Sequence, residues 1–260
     1  MNTEKALDKL KLITMLTDFG DYYPGVMKGV ILKFIPDIKI IDITHSVEPQ
    51  NVLQGAFLLY NSYRFFPSAI HMAIVDPGVG SRRDAIVVEC RNHVFIGPDN
   101  GILFSSAKED GIERIWKINE ERVDMEISNT FHGRDVFAPA VCYYLRGKIK
   151  EIAEKKKSIV ETDIFNCEVR ENKIKCRIIF TDKFGNAVTN IGKEILDELN
   201  PKAFYVSGQK FPLVKSYSDV DKGEALSIVG SFNSLELSVR EGKASEKFSL
   251  RSGLIELEFE

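Results

Sequence analysis

The segment VDPGVGSRR sets charged side chains of both signs around a glycine-rich turn. Asp76 follows an apolar run that predicts a buried strand, and the segment ends with Arg82 and Arg83. Three interpretations compete for this pattern: a phosphate cradle, a structural turn with solvated arginines, or half of a catalytic site. The phosphate-binding signature GxxxxGK[ST] and the dinucleotide fingerprint GxGxxG are both absent. On spacing alone, the structural turn is favoured and the catalytic interpretation stays open.

A second segment, TFHGRDVFAP, supplies an imidazole that can exchange protons near neutral pH. His132 and Arg134 precede a predicted helix that Asp135 could cap. A single histidine is more often structural than catalytic. The other histidines fit that structural interpretation: His45, His71 and His93. His132 differs from them because it lies in a polar loop that contains glycine.

Two further loops carry carboxylates and an amide. In TDFG, Asp18 could accept hydrogen bonds from a ribose diol or cap the helix near Pro24. The DFG tripeptide does not indicate a kinase, because the glycine-rich loop and the HRD loop are missing. In FTDKFGNAVTN, the Asn186 amide could satisfy both the donor and the acceptor edge of adenine, with Asp182 as a further acceptor. The same residues are also typical of a β-turn.

Metal and redox chemistry have little support in the sequence. No HExxH or EF-hand spacing is present, and the four cysteines are scattered without a CxxC pair. Asp76, His132 and Asp135 could be combined into a metal site, but the nearby arginines disfavour a cation. We therefore expect no metal, and we interpret the cysteines as buried thiols.

Composition excludes several classes of protein. The chain has 260 residues and a net charge of −3, so no basic field indicates nucleic acid as a partner. No apolar run approaches the roughly 18 residues that a membrane span needs. The N-terminal stretch MNTEKALDKLKL is charged and lacks a hydrophobic signal core, so we expect a cytoplasmic protein with no membrane partner.

Strand-like and helix-like segments alternate through the first half of the chain. The predicted strands are 12–16, 38–43, 70–75, 85–89 and 94–96. The predicted helices are one that begins near Pro24 and stops at Pro36, one over 51–66 and one over 135–145. Nearly continuous apolar strands in this order indicate a mostly parallel sheet covered on both faces. Ligands gather beyond the carboxyl ends of such strands, where TDFG and DPGVG both fall.

After about Gly147 the pattern changes to short strands separated by turn residues. Only 191–199 predicts a helix, and the alternation in Ile255 to Phe259 is typical of a half-buried strand. We therefore predict an α/β catalytic domain over residues 1–160. A smaller all-β, barrel-like substrate-binding domain should follow over residues 161–260.

An ordered series of motifs covers nearly the whole chain: TDFG, DITHSVEPQNVLQGAFLL, VDPGVGSRR, FIGPDNG, FHGRDVFAP and TDKFGNAVTN. This series closely resembles the S-adenosyl-L-methionine hydroxide adenosyltransferase family, relatives of fluorinase and chlorinase. The resemblance implies an α/β domain followed by a β-barrel-like domain. It also implies a homotrimer, in which each site lies between the large domain of one subunit and the small domain of its neighbour.

The implied reaction is attack of water or hydroxide on C5′ of S-adenosylmethionine, which gives adenosine and L-methionine without a cofactor. Some members of the family prefer the (R)-sulfonium epimer. Halogenating relatives lack the histidine motif, so its presence in this chain favours water over halide as the nucleophile. A non-catalytic protein that binds adenosine or S-adenosylmethionine is the alternative, and a halogenase is a weaker one.

The resemblance also carries residue roles onto this chain. The family's catalytic acid, arginine and histidine fall on Asp76, Arg83 and His132. For substrate binding, Asp18 is similar to the ribose-diol acceptor, Asn186 to an adenine-contacting amide, and Asp182 to a residue near the methionine amine. The segment GSFNSLELSV resembles the last substrate-binding segment, which gives Ser231, Phe232, Glu236 and Val239. Relatives often have NSFG here, so this chain departs from the pattern at GSFNS.

Overall fold

The computed structural model describes residues 10–260, which divide into two compact units that meet in sequence at Thr162 and Asp163. Residues 1–9, which hold most of the charged N-terminal stretch, lie outside the described residues. Among residues 10–260, no helix is both long and apolar enough to cross a membrane. Each unit contains some of the predicted site residues.

The first unit is built on a seven-stranded sheet with the order β2-β1-β3-β5-β4-β6-β7. Its strands are β1 (Leu12–Thr17), β2 (Lys39–Thr44), β3 (Ile70–Ile74), β4 (Ala85–Cys90), β5 (Val94–Pro98), β6 (Ile112–Ile118) and β7 (Ala153–Lys156). The pairs β1–β2, β1–β3 and β3–β5 are parallel, and β4–β5, β4–β6 and β6–β7 are antiparallel. Strands β1, β2, β3, β5 and β6 consequently run in one direction, which confirms the predicted mostly parallel sheet.

Helices cover both faces of this sheet. They are α1 (Tyr22–Phe34), α2 (Val52–Ser62), α3 (Phe104–Asp110), α4 (Ala138–Leu145) and α5 (Ile149–Ile152). Every residue of β1 is buried, yet only alternate ones such as Ile13 and Met15 belong to the core cluster that contains α1 and α4. The side chains between them are buried on the opposite face, because successive side chains of a strand alternate. Burial on both faces explains why the strand sequences are apolar throughout.

The second unit is a closed β-barrel. Its strands are β8 (Glu168–Arg170), β9 (Lys173–Thr181), β10 (Ala187–Gly192), β11 (Ala203–Val206), β12 (Gln209–Val214), β13 (Ala225–Val229), β14 (Ser234–Val239) and β15 (Gly253–Phe259). The order β10-β14-β13-β12-β11-β15-β9 closes because β9 also pairs with β10, and β8 extends β9 outside the ring. A closed barrel leaves no open sheet edge. This finding confirms the predicted barrel-like fold.

Some predicted helix boundaries were wrong. The predicted helix from Asn51 to Phe66 divides into α2 and a 3₁₀ turn over Tyr63–Phe65, and the Asn51 side chain caps α2 by accepting from the Gln54 N–H. In the barrel, α6 (Lys193–Leu199) begins later than predicted, because Ile191 and Gly192 still belong to β10. A further short helix, α7 (Ala244–Lys247), was not predicted.

Two histidines form a buried polar chain in the first unit. Thr14 Oγ1 lies 2.7 Å from His71 Nδ1, and His71 Nε2 lies 3.0 Å from His93 Nδ1. The Tyr63 and Phe95 rings pack against both imidazoles. Burial, with a smaller contribution from the adjacent His93, lowers the pKa of His71 to about 3. Both histidines therefore lie in the core as neutral rings, as expected for structural residues.

We predict that the first unit loses stability in mild acid because of His71. The unfolded chain takes up a proton below the ordinary pKa of 6.5, whereas the native ring resists protonation until about pH 3. The free energy of unfolding should therefore fall by up to about 1.4 kcal/mol per pH unit between these values for this group. Urea unfolding followed by the fluorescence of Trp116, the single tryptophan, measures this slope.

The His71→Gln variant should show a shallower dependence of unfolding free energy on pH over the same window. An unchanged slope in this variant would assign the acid sensitivity to other groups.

Candidate active site

The VDPGVGSRR turn follows β3 directly and is held by its own backbone. Val79 N donates to Asp76 O at 3.2 Å, and Ser81 N donates to Gly78 O at 3.0 Å. Gly80 has a φ of +74°, and a Cβ at this position would lie 2.6 Å from the carbonyl oxygen of Asn129. Only glycine fits such a conformation and such a contact. The glycine therefore lets this turn approach the loop that precedes His132.

His132 stands at the start of a π-helical turn, Gly133–Phe137, which continues into α4. Asp135 lies inside this turn rather than at its cap, so the predicted capping role was wrong. Its buried carboxylate instead accepts from Ser128 N at 2.9 Å and from Arg134 Nε at 2.5 Å. These bonds hold the loop that precedes the π-helical turn in place. π-helical turns are rare in proteins, and those that occur are often found at functional sites.

Arg83 lies between Asp76 and His132 and contacts both. Arg83 Nε lies 2.9 Å and Nη2 2.7 Å from Asp76 Oδ2, and Nε also lies 3.1 Å from Oδ1. Arg83 Nη2 lies 2.8 Å from His132 Nδ1. The three predicted catalytic side chains therefore form one contiguous cluster beyond the carboxyl end of β3.

The cluster is almost closed to solvent. The exposed fractions of the Asp76, Arg83 and His132 side chains are 4%, 9% and 4%. The Arg83 guanidinium carbon lies 5.6 Å from the centre of the Phe137 ring. Charges with so little water around them are stable only when they are paired and hydrogen-bonded. The guanidinium and the Asp76 carboxylate therefore hold each other in place.

The contact with Arg83 fixes the proton on the His132 ring. A guanidinium has donors and no acceptor, so Nδ1 must accept this hydrogen bond with its lone pair. The neutral ring then carries its proton on Nε2. Within residues 10–260 the polar contacts of the ring are made by Nδ1, so Nε2 is the nitrogen left to face a substrate or a water molecule. In this arrangement His132 presents a donor.

Glu120 is a fourth charged member that sequence reasoning missed. Its Oε1 lies 3.3 Å from Arg83 Nη1 and 3.4 Å from His132 Nδ1. The second contact would need a proton on Nδ1, and the much shorter contact with Arg83 takes precedence in this structure. Glu120 lies in the polar stretch NEERVDME, which contains no motif that distinguishes it from a solvated acidic segment.

Asp18 lies at the end of β1 and has one oxygen in use. Its Oδ2 accepts from Gln50 N at 2.8 Å, whereas Oδ1 is buried and accepts no hydrogen bond from residues 10–260. Asp18 does not cap α1, whose cap position is Asp21. Phe19 packs edge-on against Phe131 with a 6.0 Å separation of ring centres, which brings the TDFG loop against the segment that carries His132.

The barrel unit contains a polar cluster of its own. Asp182 Oδ1 accepts from the Phe184 and Asn186 N–H groups at 2.9 Å, so Asp182 builds the turn that its sequence predicted. Asn186 Nδ2 donates to Asp182 Oδ2 at 3.0 Å and lies 3.4 Å from the Tyr217 hydroxyl. The same hydroxyl lies 3.3 Å from Glu236 Oε2. Tyr217, which was not predicted, thus links the predicted binding residues.

Glu236 is buried on β14 and folds back over a glycine. A Cβ at Gly230 would lie 1.7 Å from Glu236 Oε1, so this position has no room for a side chain. Burial raises the pKa of the Glu236 carboxyl, repulsion from Asp182 raises it further, and the hydrogen bond from Tyr217 opposes the shift.

The remaining predicted binding residues lie at other positions in the barrel unit. Ser231 is exposed and Phe232 is half-buried in the loop between β13 and β14, where the Phe232 and Phe180 ring centres are 6.1 Å apart. Val239 is buried in the hydrophobic core of the barrel. A binding role for these three residues remains a prediction.

An α/β unit with an acid, a guanidinium and an imidazole in contact, together with a closed β-barrel unit, defines a two-part enzyme architecture. The N-terminal domain model of the S-adenosylmethionine hydroxide adenosyltransferases matches residues 13–153, and the C-terminal domain model matches residues 176–255. The chain belongs to this family. The resemblance that the ordered motifs indicated is therefore confirmed.

Hydrolases and fluorinases both occur among the relatives. The (R)-S-adenosyl-L-methionine hydrolase of Methanocaldococcus jannaschii is 38% identical over 249 residues, which cover 89% of each chain. The fluorinase of Actinoplanes sp. is 21% identical over 292 residues and covers 94% of this chain and 95% of its own. A crystal structure of an uncharacterized conserved protein from Thermotoga maritima matches with a TM-score of 0.83 and 34% identity, covering 95% of this chain and 99% of that one.

We predict that Arg83→Met destabilises the first unit by about 3–5 kcal/mol, because it leaves the buried Asp76 carboxylate unpaired. The double variant Asp76→Asn with Arg83→Met should lose less than the sum of the two single changes, since the contact is shared. Urea unfolding followed by Trp116 fluorescence measures each value. Arg82→Met is the matched control, because Arg82 is exposed. An equal loss in Arg82→Met and Arg83→Met would contradict the pairing.

Proposed function

We propose that this protein hydrolyses S-adenosyl-L-methionine to adenosine and L-methionine. The observation that carries the proposal is the buried contact of Arg83 with both Asp76 and His132 in a member of the hydroxide adenosyltransferase family. The named (R)-S-adenosyl-L-methionine hydrolases among its relatives support the (R)-sulfonium epimer as the preferred substrate.

The chemistry requires an oriented nucleophile more than it requires a better leaving group. The oxygen of water forms a bond to C5′, the C5′–S bond breaks, and its electron pair remains on sulfur as the neutral thioether of methionine. The attacking water gives up one proton, which the overall reaction releases together with adenosine and methionine. Orientation of such a nucleophile behind C5′ is worth about 7–11 kcal/mol in the best cases. Because the sulfonium already activates the carbon, we propose that no cofactor takes part.

Each member of the cluster then has a role in the proposal. Arg83 favours hydroxide character in the attacking oxygen, because its guanidinium stays positively charged. His132 Nε2 forms a hydrogen bond with that oxygen and holds it in line. Asp76 fixes the plane of the guanidinium through its two oxygens.

The binding residues complete the proposal. Asp18 Oδ1, which is buried with no partner among the described residues, would accept from the ribose diol. In the barrel unit Asn186 would contact adenine and Asp182 the methionine amine, with Glu236, Ser231, Phe232 and Val239 in the last binding segment. We propose a cytoplasmic homotrimer, in which each substrate lies between the α/β unit of one subunit and the barrel unit of the neighbouring subunit.

The direct test incubates the protein with each sulfonium epimer and measures adenosine by chromatography. We predict adenosine from the (R) epimer, and a roughly 10²–10³-fold lower kcat in His132→Ala, which corresponds to a lost hydrogen-bond partner of the nucleophile worth about 2.7–4 kcal/mol. Arg82→Ala is the matched control and should retain wild-type turnover. Adenosine no higher than in a protein-free sample, or full activity of His132→Ala, would refute the proposal.

The same assay decides between hydrolysis and the two alternatives. A binding protein would retain S-adenosylmethionine without product, and the orphaned Asp18 acceptor fits such a protein equally well. A halogenase would need chloride or fluoride and would yield a 5′-halonucleoside. Product identity in the presence and absence of halide separates the three.

We predict a particle mass of about three times 29.4 kDa in multi-angle light scattering. A monomer mass at micromolar concentration would contradict a site shared between subunits.

A further inference from the structure

Glu120 lies next to two members of the cluster, Arg83 and His132. A single oxygen, Oε1, lies 3.3 Å from Arg83 Nη1 and 3.4 Å from His132 Nδ1. The side chain is one-third exposed, whereas its three neighbours in the cluster are nearly buried. Glu120 therefore lies at the solvent edge of the cluster, within a small movement of a hydrogen bond to the imidazole.

The backbone of Glu120 is held firmly. It begins the 3₁₀ turn Glu120–Arg122 that follows β6, and its carbonyl accepts from the N–H of the buried Val123 at 3.1 Å. The preceding Asn119 donates its N–H to Ile152 O at 2.7 Å and accepts from Glu121 N at 3.1 Å. The position is fixed by the main chain, so the side chain can adjust without unfolding the turn.

His132 Nδ1 has two partners that require opposite proton positions. Arg83 donates, so Nδ1 bonded to Arg83 carries a lone pair and Nε2 carries the proton. Glu120 accepts, so Nδ1 bonded to Glu120 carries a proton and Nε2 is free to take one. The structure shows the first state, with Glu120 in place for the second.

Charge balance favours the second state once the ring is protonated. Ionised Asp76 and Glu120 contribute two negative charges, and Arg83 contributes one positive charge. A neutral His132 leaves one negative charge in excess, and an imidazolium cancels it. A carboxylate within hydrogen-bonding reach favours the charged form of an imidazole.

We propose that Glu120 is a positioning residue that stabilises His132 with a proton on Nδ1, so that Nε2 can remove the proton from the attacking water. The water O–H bond breaks, its proton goes to Nε2, and its electron pair forms the C5′–O bond while the C5′–S pair leaves on sulfur. The imidazolium donates from Nδ1 to Glu120 Oε1. This inference rests on the proposed hydrolysis at the same site and assigns the base that the cluster alone leaves open.

The experiment compares Glu120→Gln with Glu120→Asp and with Glu121→Gln. Glu121 is exposed in the same 3₁₀ turn, and its carboxylate is the matched control. We expect Glu120→Gln to lower kcat at least about tenfold, a part of the 10²–10⁴-fold that positioned proton transfer contributes. KM should stay within about twofold, because the interaction is made in the transition state. Glu120→Asp should recover part of the loss, and Glu121→Gln should match the wild type.

A second readout is independent of turnover. Nitrogen-15 NMR of the four histidine side chains follows ring protonation with pH, and His132→Gln identifies the His132 signals. In Glu120→Gln the His132 ring should gain its second proton at lower pH than in the wild type, whereas Glu121→Gln should leave the titration unchanged. A residue that merely held Arg83 in place would lower activity without this shift.

An unchanged His132 titration in Glu120→Gln would overturn the inference, and so would a raised KM with unchanged kcat, which would make Glu120 a substrate contact. If the wild-type protein forms no adenosine, the proposed hydrolysis fails separately, and the titration still decides whether Glu120 controls the ring.

Discussion

The guanidinium of Arg83 is the constraint on which the rest of the first unit's site depends. Its planar fork directs Nε and Nη2 to Asp76, Nη2 to His132 and Nη1 towards Glu120. A lysine ammonium has no such fixed fork and could not hold these partners in one plane. Because the group is nearly buried, moving any partner would leave a desolvated charge unpaired. The positions of the imidazole and the carboxylate are therefore linked through one side chain.

The fold supplies the conditions for this linkage. A parallel strand delivers Asp76 at its carboxyl end, where α/β sheets bind their ligands. Gly80 allows the following turn to lie against the loop of Asn129, and the π-helical turn after His132 sets the ring at the start of α4. Asp135 ties that loop down from inside the turn. The turn after β3 and the loop before His132 are thus held together by close backbone packing, in addition to the side-chain contact of the turn with His132.

Sequence alone predicted the fold well, because the order of apolar and polar residues in each strand reflects which of its faces are buried. Continuous apolar runs mark β1 and β3, and strict alternation marks the end of β15, where Ile255, Leu257 and Phe259 pack into or against the barrel core. The spacing in VDPGVGSRR favoured a plain turn. Only the family resemblance carried by the ordered motifs identified Asp76, Arg83 and His132 as one catalytic set. The contact between them depends on how the loops pack, and loop packing produces no repeating residue pattern in the sequence.

Other features could not be read from the chain. Glu120 and Tyr217 lie in polar segments without a motif, and they matter only because folding brings them to groups that are distant in sequence. Asp135 was wrongly assigned as a cap, since a π-helical turn leaves no distinct residue pattern. Asp182 shows that turn-building and binding chemistry use the same residue types: its Oδ1 accepts two backbone N–H groups, as the turn interpretation predicted.

The proposed hydrolysis depends on one placement: the cluster faces the oxygen that becomes attached to C5′. A crystal structure of the protein with adenosine and L-methionine bound tests it most directly, because the 5′-hydroxyl of adenosine marks the position of the former nucleophile. We expect this oxygen to lie within about 3.2 Å of His132 Nε2, a hydrogen-bonding distance. A 5′-hydroxyl bound away from His132 and Arg83 would contradict it.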